Sequence, residues 1–111
     1  MAFQNVVGVR LGQGAVTTSY TTFYTTPANT RTYVKDFDLC NTTGAPVYMY
    51  VSLVNAGDTV GTDNSILYNT LVAPYSTVQW SGTQIMNAGG TIQAKASAAG
   101  CTLTVSGGEA T

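Results

Sequence analysis

The chain has 111 residues, 8% of them charged, a formal net charge of −1 and no histidine. A typical soluble domain is about 25% charged, so this one has too few ionic groups to clothe its own surface, and association with neighbours is expected to cover part of it. Arg10, Arg31, Lys35 and Lys95 are scattered, which excludes the basic stripe that nucleic acid requires, and no apolar run approaches the ~20 residues of a membrane span.

The length suits one domain with a single core. Seven Tyr, three Phe and one Trp set it apart from a disordered chain. The opening MAFQNVVGVRLGQG has no basic start followed by an apolar stretch, so it does not read as a signal peptide. Synthesis in a reducing cytoplasm follows as the expectation, with Cys40 and Cys101 as free buried thiols. A Cys40–Cys101 bridge stays open only if their strands are adjacent.

No amphipathic helix is legible, whereas Thr, Val and Tyr, which suit a pleated surface, are abundant. Residues 5–12 read as a first strand, and residues 1–14 as an N-terminal strand or docking arm ahead of a β-sandwich over 15–111. A second strand spans 18–26 and stops at Pro27-Ala28-Asn29. The third spans 31–41. For Val34, Phe37 and Leu39 all to point inward, one extra residue must sit near Lys35-Asp36, which a β-bulge supplies. The Thr42-Thr43-Gly44-Ala45 turn then predicts a hairpin into a fourth strand over 46–54. Val47, Met49, Val51 and Leu53 form its apolar face, and Tyr48, Tyr50 and Ser52 the other.

A Gly-rich loop fills 55–64, followed by strands over 65–72 and 76–80, separated by Ala73-Pro74-Tyr75. Residues 91–97 and 101–106 alternate cleanly, with Ile92, Ala94, Ala96, Cys101, Leu103 and Val105 inward, and the Ala98-Ala99-Gly100 turn predicts a closing hairpin. VNAGDTV at 54–60 and MNAGGTI at 86–92 echo each other as shared turn chemistry. About eight short strands between turn signals predict an all-β, single-domain antiparallel sandwich or jelly roll.

Catalytic chemistry is scarce. Without histidine, neither a Ser-His-Asp nor a Cys-His arrangement can be built, and the chain reads as no enzyme. Asp36 and Asp38 share a strand face about 7 Å apart, a spacing a glycosidase pair can use but one that reads first as a solvated or interface face. Asp58 and Asp63 flank the Gly-rich loop without a calcium-loop spacing. No phosphate-cradling motif is present, and neither cofactor nor metal is expected. Asn41-Thr42-Thr43 matches the glycosylation acceptor pattern, relevant only to a secreted eukaryotic protein.

The aromatics are the strongest functional signal, because Tyr20, Phe23, Tyr24, Tyr33, Tyr48, Tyr50, Tyr68, Tyr75 and Trp80 exceed what so small a core holds. Tyr and Trp concentrate at subunit interfaces. Candidate interface residues are Tyr24, Tyr48, Tyr50, Tyr75 and Trp80, with Phe3, Val6, Val7 and Val9 of the N-terminal segment. Cross-strand pairing on an ordinary sheet surface and a sugar-stacking platform are the alternatives.

The stretches YTTPANTRTYVKDFDLCNTTGAPVYMYVSLV, ILYNTLVAPYSTVQWSG and MNAGGTIQAKASAAGCTLTVSGGEAT, within residues 20–111, resemble small accessory virion proteins of tailed bacteriophages. The resemblance lies in turn-and-strand signatures: P-A-N-T leading a strand, the N-T-T-G turn, a second proline turn, and the closing N-A-G-G-T-I and A-S-A-A-G steps. It implies a β-sandwich, often trimeric, that decorates and cements a capsid against the major capsid protein. A collar, tail or fibre-associated protein is the alternative, as is a virion module for a glycan receptor. It implies localisation to the virion after synthesis in the host bacterial cytoplasm, and it brings no catalytic residue.

Overall fold

The computed structural model describes residues 5–111, so Phe3 lies outside the described residues. The strands are β1 (Val6–Val16), β2 (Thr21–Thr25), β3 (Arg31–Asn41), β4 (Val47–Val54), β5 (Ser65–Val72), β6 (Thr77–Met86), β7 (Thr91–Ala96) and β8 (Cys101–Ala110), with one 3-10 turn at Thr62–Asn64. They form two four-stranded antiparallel sheets, ordered β1-β8-β3-β6 and β2-β7-β4-β5.

Four of these pairings, β1 with β8, β2 with β7, β3 with β6 and β4 with β5, mirror one another about the loop 55–64. The chain is thus one long antiparallel ribbon, closed at that loop and wrapped so that successive strands, β4 and β5 apart, fall alternately into the two sheets. β3–β8 and β4–β7 pairings complete the sheets. This is an eight-stranded jelly roll.

Two expected hairpins are corrected by this topology. β3 and β4 belong to opposite sheets, and so do β7 and β8. The turns at 42–45 and 98–100 therefore carry the chain across the sandwich. Among the described residues only β4 and β5 are consecutive strands paired within one sheet.

Asn41 explains the first crossing. Its side chain is buried, its amide donates to the Ala45 carbonyl (2.8 Å) and the Val72 carbonyl (3.1 Å), and its Oδ1 accepts from the Thr43 amide (2.9 Å) and hydroxyl (2.7 Å). One buried amide thereby folds the corner and ties it to β5, leaving no buried polar atom unpaired at the cost that would carry. The same geometry removes Asn41 as a glycan acceptor, because its nitrogen is enclosed and engaged.

The core lies between the sheets. Val34, Phe37, Leu39, Leu103 and Val105 from the first meet Val47, Met49, Val51, Ile92 and Ala94 from the second, all fully or almost fully buried. Each large side chain so buried contributes about 1.5–3 kcal/mol. The expected bulge is present: between Val34 and Asp36 the β3 register shifts against both β8 and β6. The shift lets Val34, Phe37 and Leu39 all reach the core, while Lys35 points out and donates to the Thr83 hydroxyl at 2.8 Å.

Cys40 and Cys101 are both free. Cys101 pairs with Asn41, and Cys40 with Thr102, so the cysteines sit one step out of register on neighbouring strands. Cys101 then points into the core and Cys40 to the opposite face of the sheet, which excludes a bridge.

Candidate interaction surface

The outer face of the β2-β7-β4-β5 sheet gathers the aromatic residues. Alternation turns Val47, Met49 and Val51 of β4 inward and Tyr48 and Tyr50 outward. β7 contributes Lys95, which is the register partner of Tyr50. β5 contributes Tyr68 and Leu71, the latter opposite Tyr48. Tyr20, just before β2, completes the row.

The geometry is specific. The Lys95 ammonium lies 4.8 Å from the Tyr50 ring centroid and 4.9 Å from that of Tyr20. Tyr68 meets Tyr50 edge-on, with centroids 5.1 Å apart and rings at 84°. The Tyr50 hydroxyl donates to Asn69 Oδ1 at 2.9 Å. Asn69 itself is left-handed, with φ 52°, a conformation asparagine tolerates better than most residues and one that interrupts β5 where the β4–β5 register shifts.

Tyr50 is therefore held from three sides, and the cation–π contacts contribute roughly 0.5–1 kcal/mol each at such a site. Tyr68 (57%), Leu71 (51%) and Tyr48 (42%) remain widely exposed around it. Ser52, expected on this face, is instead buried and shares a 3.2 Å hydrogen bond with Ser65 Oγ, because the β4–β5 register slips next to it.

The other sequence candidates lie elsewhere. Tyr24 points between the sheets, where its hydroxyl meets Thr32 Oγ1 at 2.7 Å and donates to Glu109 Oε2 at 2.5 Å. Burial first, and then the Glu109 carboxylate, push its pKa up to about 12. Trp80 is half-buried at the edge of the first sheet, stacked on Phe37 with centroids 4.6 Å apart and planes at 18°. With one ring face taken by Phe37, it offers little as a sugar platform.

Tyr75 is 77% exposed and left-handed at φ 53°, and its ring lies over Gly44 at the 42–45 corner. Val6, Val7 and Val9 belong to β1, which pairs with β8 along its length. Val9 packs against the core, and Val6 and Val7 are exposed. Val6 lines a shallow groove of about 410 Å³ with Gly8, Tyr33, Lys35, Gly107 and Gly108.

Sequence reasoning named neither Tyr68, Leu71, Lys95 and Asn69 as members of one surface nor the Gly-lined groove. The β4–β5 and β4–β7 registers bring the first group together, and those registers were not legible from spacing alone. Asp36 and Asp38 are both half-buried, opposite Ser81 and Ser106 and opposite Gln79 and Thr104 respectively, in hydroxyl and amide surroundings. Among the described residues no three His, Cys, Asp or Glu side chains gather as a metal site, and no helix is long and apolar enough to cross a membrane.

The chain has no match among known family models, curated proteins or solved structures. The surface chemistry described above therefore carries the functional argument.

Proposed function

We propose that this chain is a structural protein of a tailed-bacteriophage particle, an oligomer that decorates and stabilises the capsid through protein–protein contacts. The observation that carries the reading is the outer face of β4, β5 and β7, where Tyr48, Tyr68 and Leu71 stand exposed on a sheet with Lys95 as its cation. A chain with 8% charged residues leaves this face poorly defended against association, and large, stiff Tyr rings bury much area at small entropic cost. The turn-and-strand resemblance of residues 20–111 to small phage virion proteins is what favours a phage particle as the partner.

Clamping is the mechanism. A patch of about 800 Å² per partner is the usual size of a specific interface. Tyr50 is preorganised by Tyr68, Asn69 and Lys95, so less side-chain freedom is lost on docking. The test is addition of purified protein to particles lacking it. Wild type binds and raises the temperature at which the shells open, whereas Tyr68→Lys with Tyr48→Lys binds at least tenfold more weakly. Equal binding by that double variant would refute the reading.

A second reading is a glycan- or receptor-binding module of the virion. Tyr50 beside Asn69 and Lys95, with the exposed Tyr68 ring edge-on to it, is the observation favouring it. Retention on a glycan array that Tyr68→Ala abolishes would select it.

A further inference from the structure

β6 is the last strand of one sheet and β5 the last strand of the other. Where these two strands approach the loop 55–64, a cleft of about 250 Å³ opens between the sheets. Four places in the chain line it. Leu53 comes from the end of β4, with Asn55 just beyond it; Asp63 comes from the 3-10 turn, Ile66 from β5, and Gln84 and Ile85 from β6.

Three of these side chains are polar: the Asn55 amide, the Asp63 carboxylate and the Gln84 amide. Among the described residues none of the three has a hydrogen-bond partner, so their bonding capacity is left for a ligand. The turn that carries Asp63 is braced. The Asn64 side chain accepts from the Gly61 amide at 3.0 Å and donates to the Thr59 carbonyl at 3.0 Å. The Ser65 hydroxyl donates to the Gly61 carbonyl at 2.9 Å. A carboxylate presented on a fixed turn has less freedom to lose on binding. Leu53 and Ile66 are half-buried and Ile85 is exposed, which places an aliphatic wall beside the polar groups.

This set of groups selects among ligands. A carboxylate only accepts hydrogen bonds, whereas each amide offers two donors and an acceptor. None of the four cationic side chains lines the cleft, so an anionic ligand would meet Asp63 with no compensating charge. An ammonium would satisfy the carboxylate but, as a donor only, would leave the amide N–H groups idle. A sugar ring serves both: its hydroxyls donate to Asp63 and accept from Asn55 and Gln84, and its C–H face rests on the aliphatic wall. The volume falls below the roughly 300–1,000 Å³ of sites for drug-sized ligands, which suits one ring and excludes an oligosaccharide.

We propose that the cleft between β5 and β6 binds a single neutral pyranose, free or as the end residue of a glycan. Asp63 is the hydroxyl acceptor, Asn55 and Gln84 are the donors, and Ile85 supports the ring. The site lies away from the tyrosine-lined face of the other sheet, and it does not depend on the capsid reading.

The test is an NMR titration of the isotope-labelled full-length protein with glucose, galactose, mannose and N-acetylglucosamine, each also as its methyl glycoside. Glucose 6-phosphate and butylamine serve as the charged controls. The side-chain amide signals of Asn55 and Gln84 and the methyl signals of Ile85 report on the cleft. At least one neutral sugar is expected to shift them saturably with a Kd of roughly 1–10 mM, and both controls to bind at least tenfold more weakly. A methyl glycoside that binds as well as its parent sugar identifies the end residue of a glycan; binding lost on methylation identifies the free sugar. Asp63→Asn is expected to weaken binding roughly tenfold, and Tyr68→Ala to leave it unchanged. Should Asp63→Asn lower the melting temperature, Gln84→Ala, at an exposed position, gives the same comparison.

Signals that no neutral sugar moves at about 100 mM, controls that bind as tightly as the sugars, or full affinity in both variants would overturn the proposal. So would shifts confined to Tyr68 and Asn69, which would assign sugar binding to the tyrosine face instead.

Discussion

Gly89 and Ala56 are in contact: a Cβ at residue 89 would fall 2.8 Å from the Cβ of Ala56. The contact joins the two Asn-Ala-Gly segments that echo each other in the sequence. In each, the amide three residues on returns to the Asn carbonyl at 3.0 Å, Asp58 to Asn55 and Gly90 to Asn87. Each also needs a left-handed glycine, φ 83° at Gly57 and φ 85° at Gly89. The echo is shared turn chemistry, and the sandwich brings its two copies together.

The two glycines separate conformational cost from packing cost. Nothing lies within 4 Å of a Cβ at Gly57, so Gly57→Ala is expected to lose only about 1–2 kcal/mol for the left-handed backbone. Gly89→Ala adds the collision with Ala56 and is expected to lose about 2–5 kcal/mol. Urea unfolding of both variants checks the order, and equal losses would contradict the contact.

Phe37 is fully buried and stacked on Trp80. Phe37→Ala removes a core ring and the support of Trp80, and about 3–5 kcal/mol is expected to go with it. Chemical denaturation followed by Trp80 emission reports both effects, with a red-shifted native spectrum accompanying the loss of stability.

Much of the strand pattern was legible because its physics is local. Ile92, Ala94 and Ala96, then Cys101, Leu103 and Val105, alternate and are all buried, and the parity change around Lys35 signalled a bulge before any register was known. The two crossings were misread as hairpins because Thr-Thr-Gly-Ala and Ala-Ala-Gly serve equally well to reverse a chain within a sheet or carry it to the opposite one. What distinguishes them is long-range, namely Asn41 reaching the Val72 carbonyl. β6 was expected to end at residue 80 and continues to Met86, because an edge strand with one wet side needs no apolar alternation and Ser81-Gly82-Thr83-Gln84 resembles a loop. The Tyr50–Lys95–Tyr68 surface depends on registers between three strands, so only its Tyr48 and Tyr50 members could be named in advance.

Tyr24 makes stability depend on high pH. Its folded pKa lies near 12, above the ordinary 10.0, because burial and Glu109 disfavour the phenolate. The native state thus holds the proton more tightly than the unfolded chain, and the contribution is complete below pH 10 and lost as pH rises towards 12. The urea midpoint of wild type is expected to fall more steeply between pH 9.5 and 11.5 than that of Tyr24→Phe. At neutral pH that variant should cost about 1 kcal/mol through its lost hydrogen bonds. Parallel pH profiles would contradict the half-buried Tyr24–Glu109 contact.

The two thiols should react differently. Burial, with Cys40 nearby as a smaller influence, pushes the Cys101 thiol up, and Cys101 is enclosed in the core, whereas Cys40 is half-buried. A thiol reagent at neutral pH is expected to label Cys40 readily and Cys101 only on unfolding. Labelling of both at one rate in the folded protein would contradict the placement of β8.

The central claim is that exposed tyrosines on a charge-poor jelly roll are there to be covered by a virion. Quantitative mass spectrometry of purified phage particles, washed at high salt, tests it most directly. The account predicts that the chain co-purifies at a fixed, high copy number in simple ratio to the major capsid protein, with Tyr68 and Tyr48 shielded from surface labelling that reaches them in the free protein. Washed particles that lack the chain, or retain it with both tyrosines fully labelled, would contradict it.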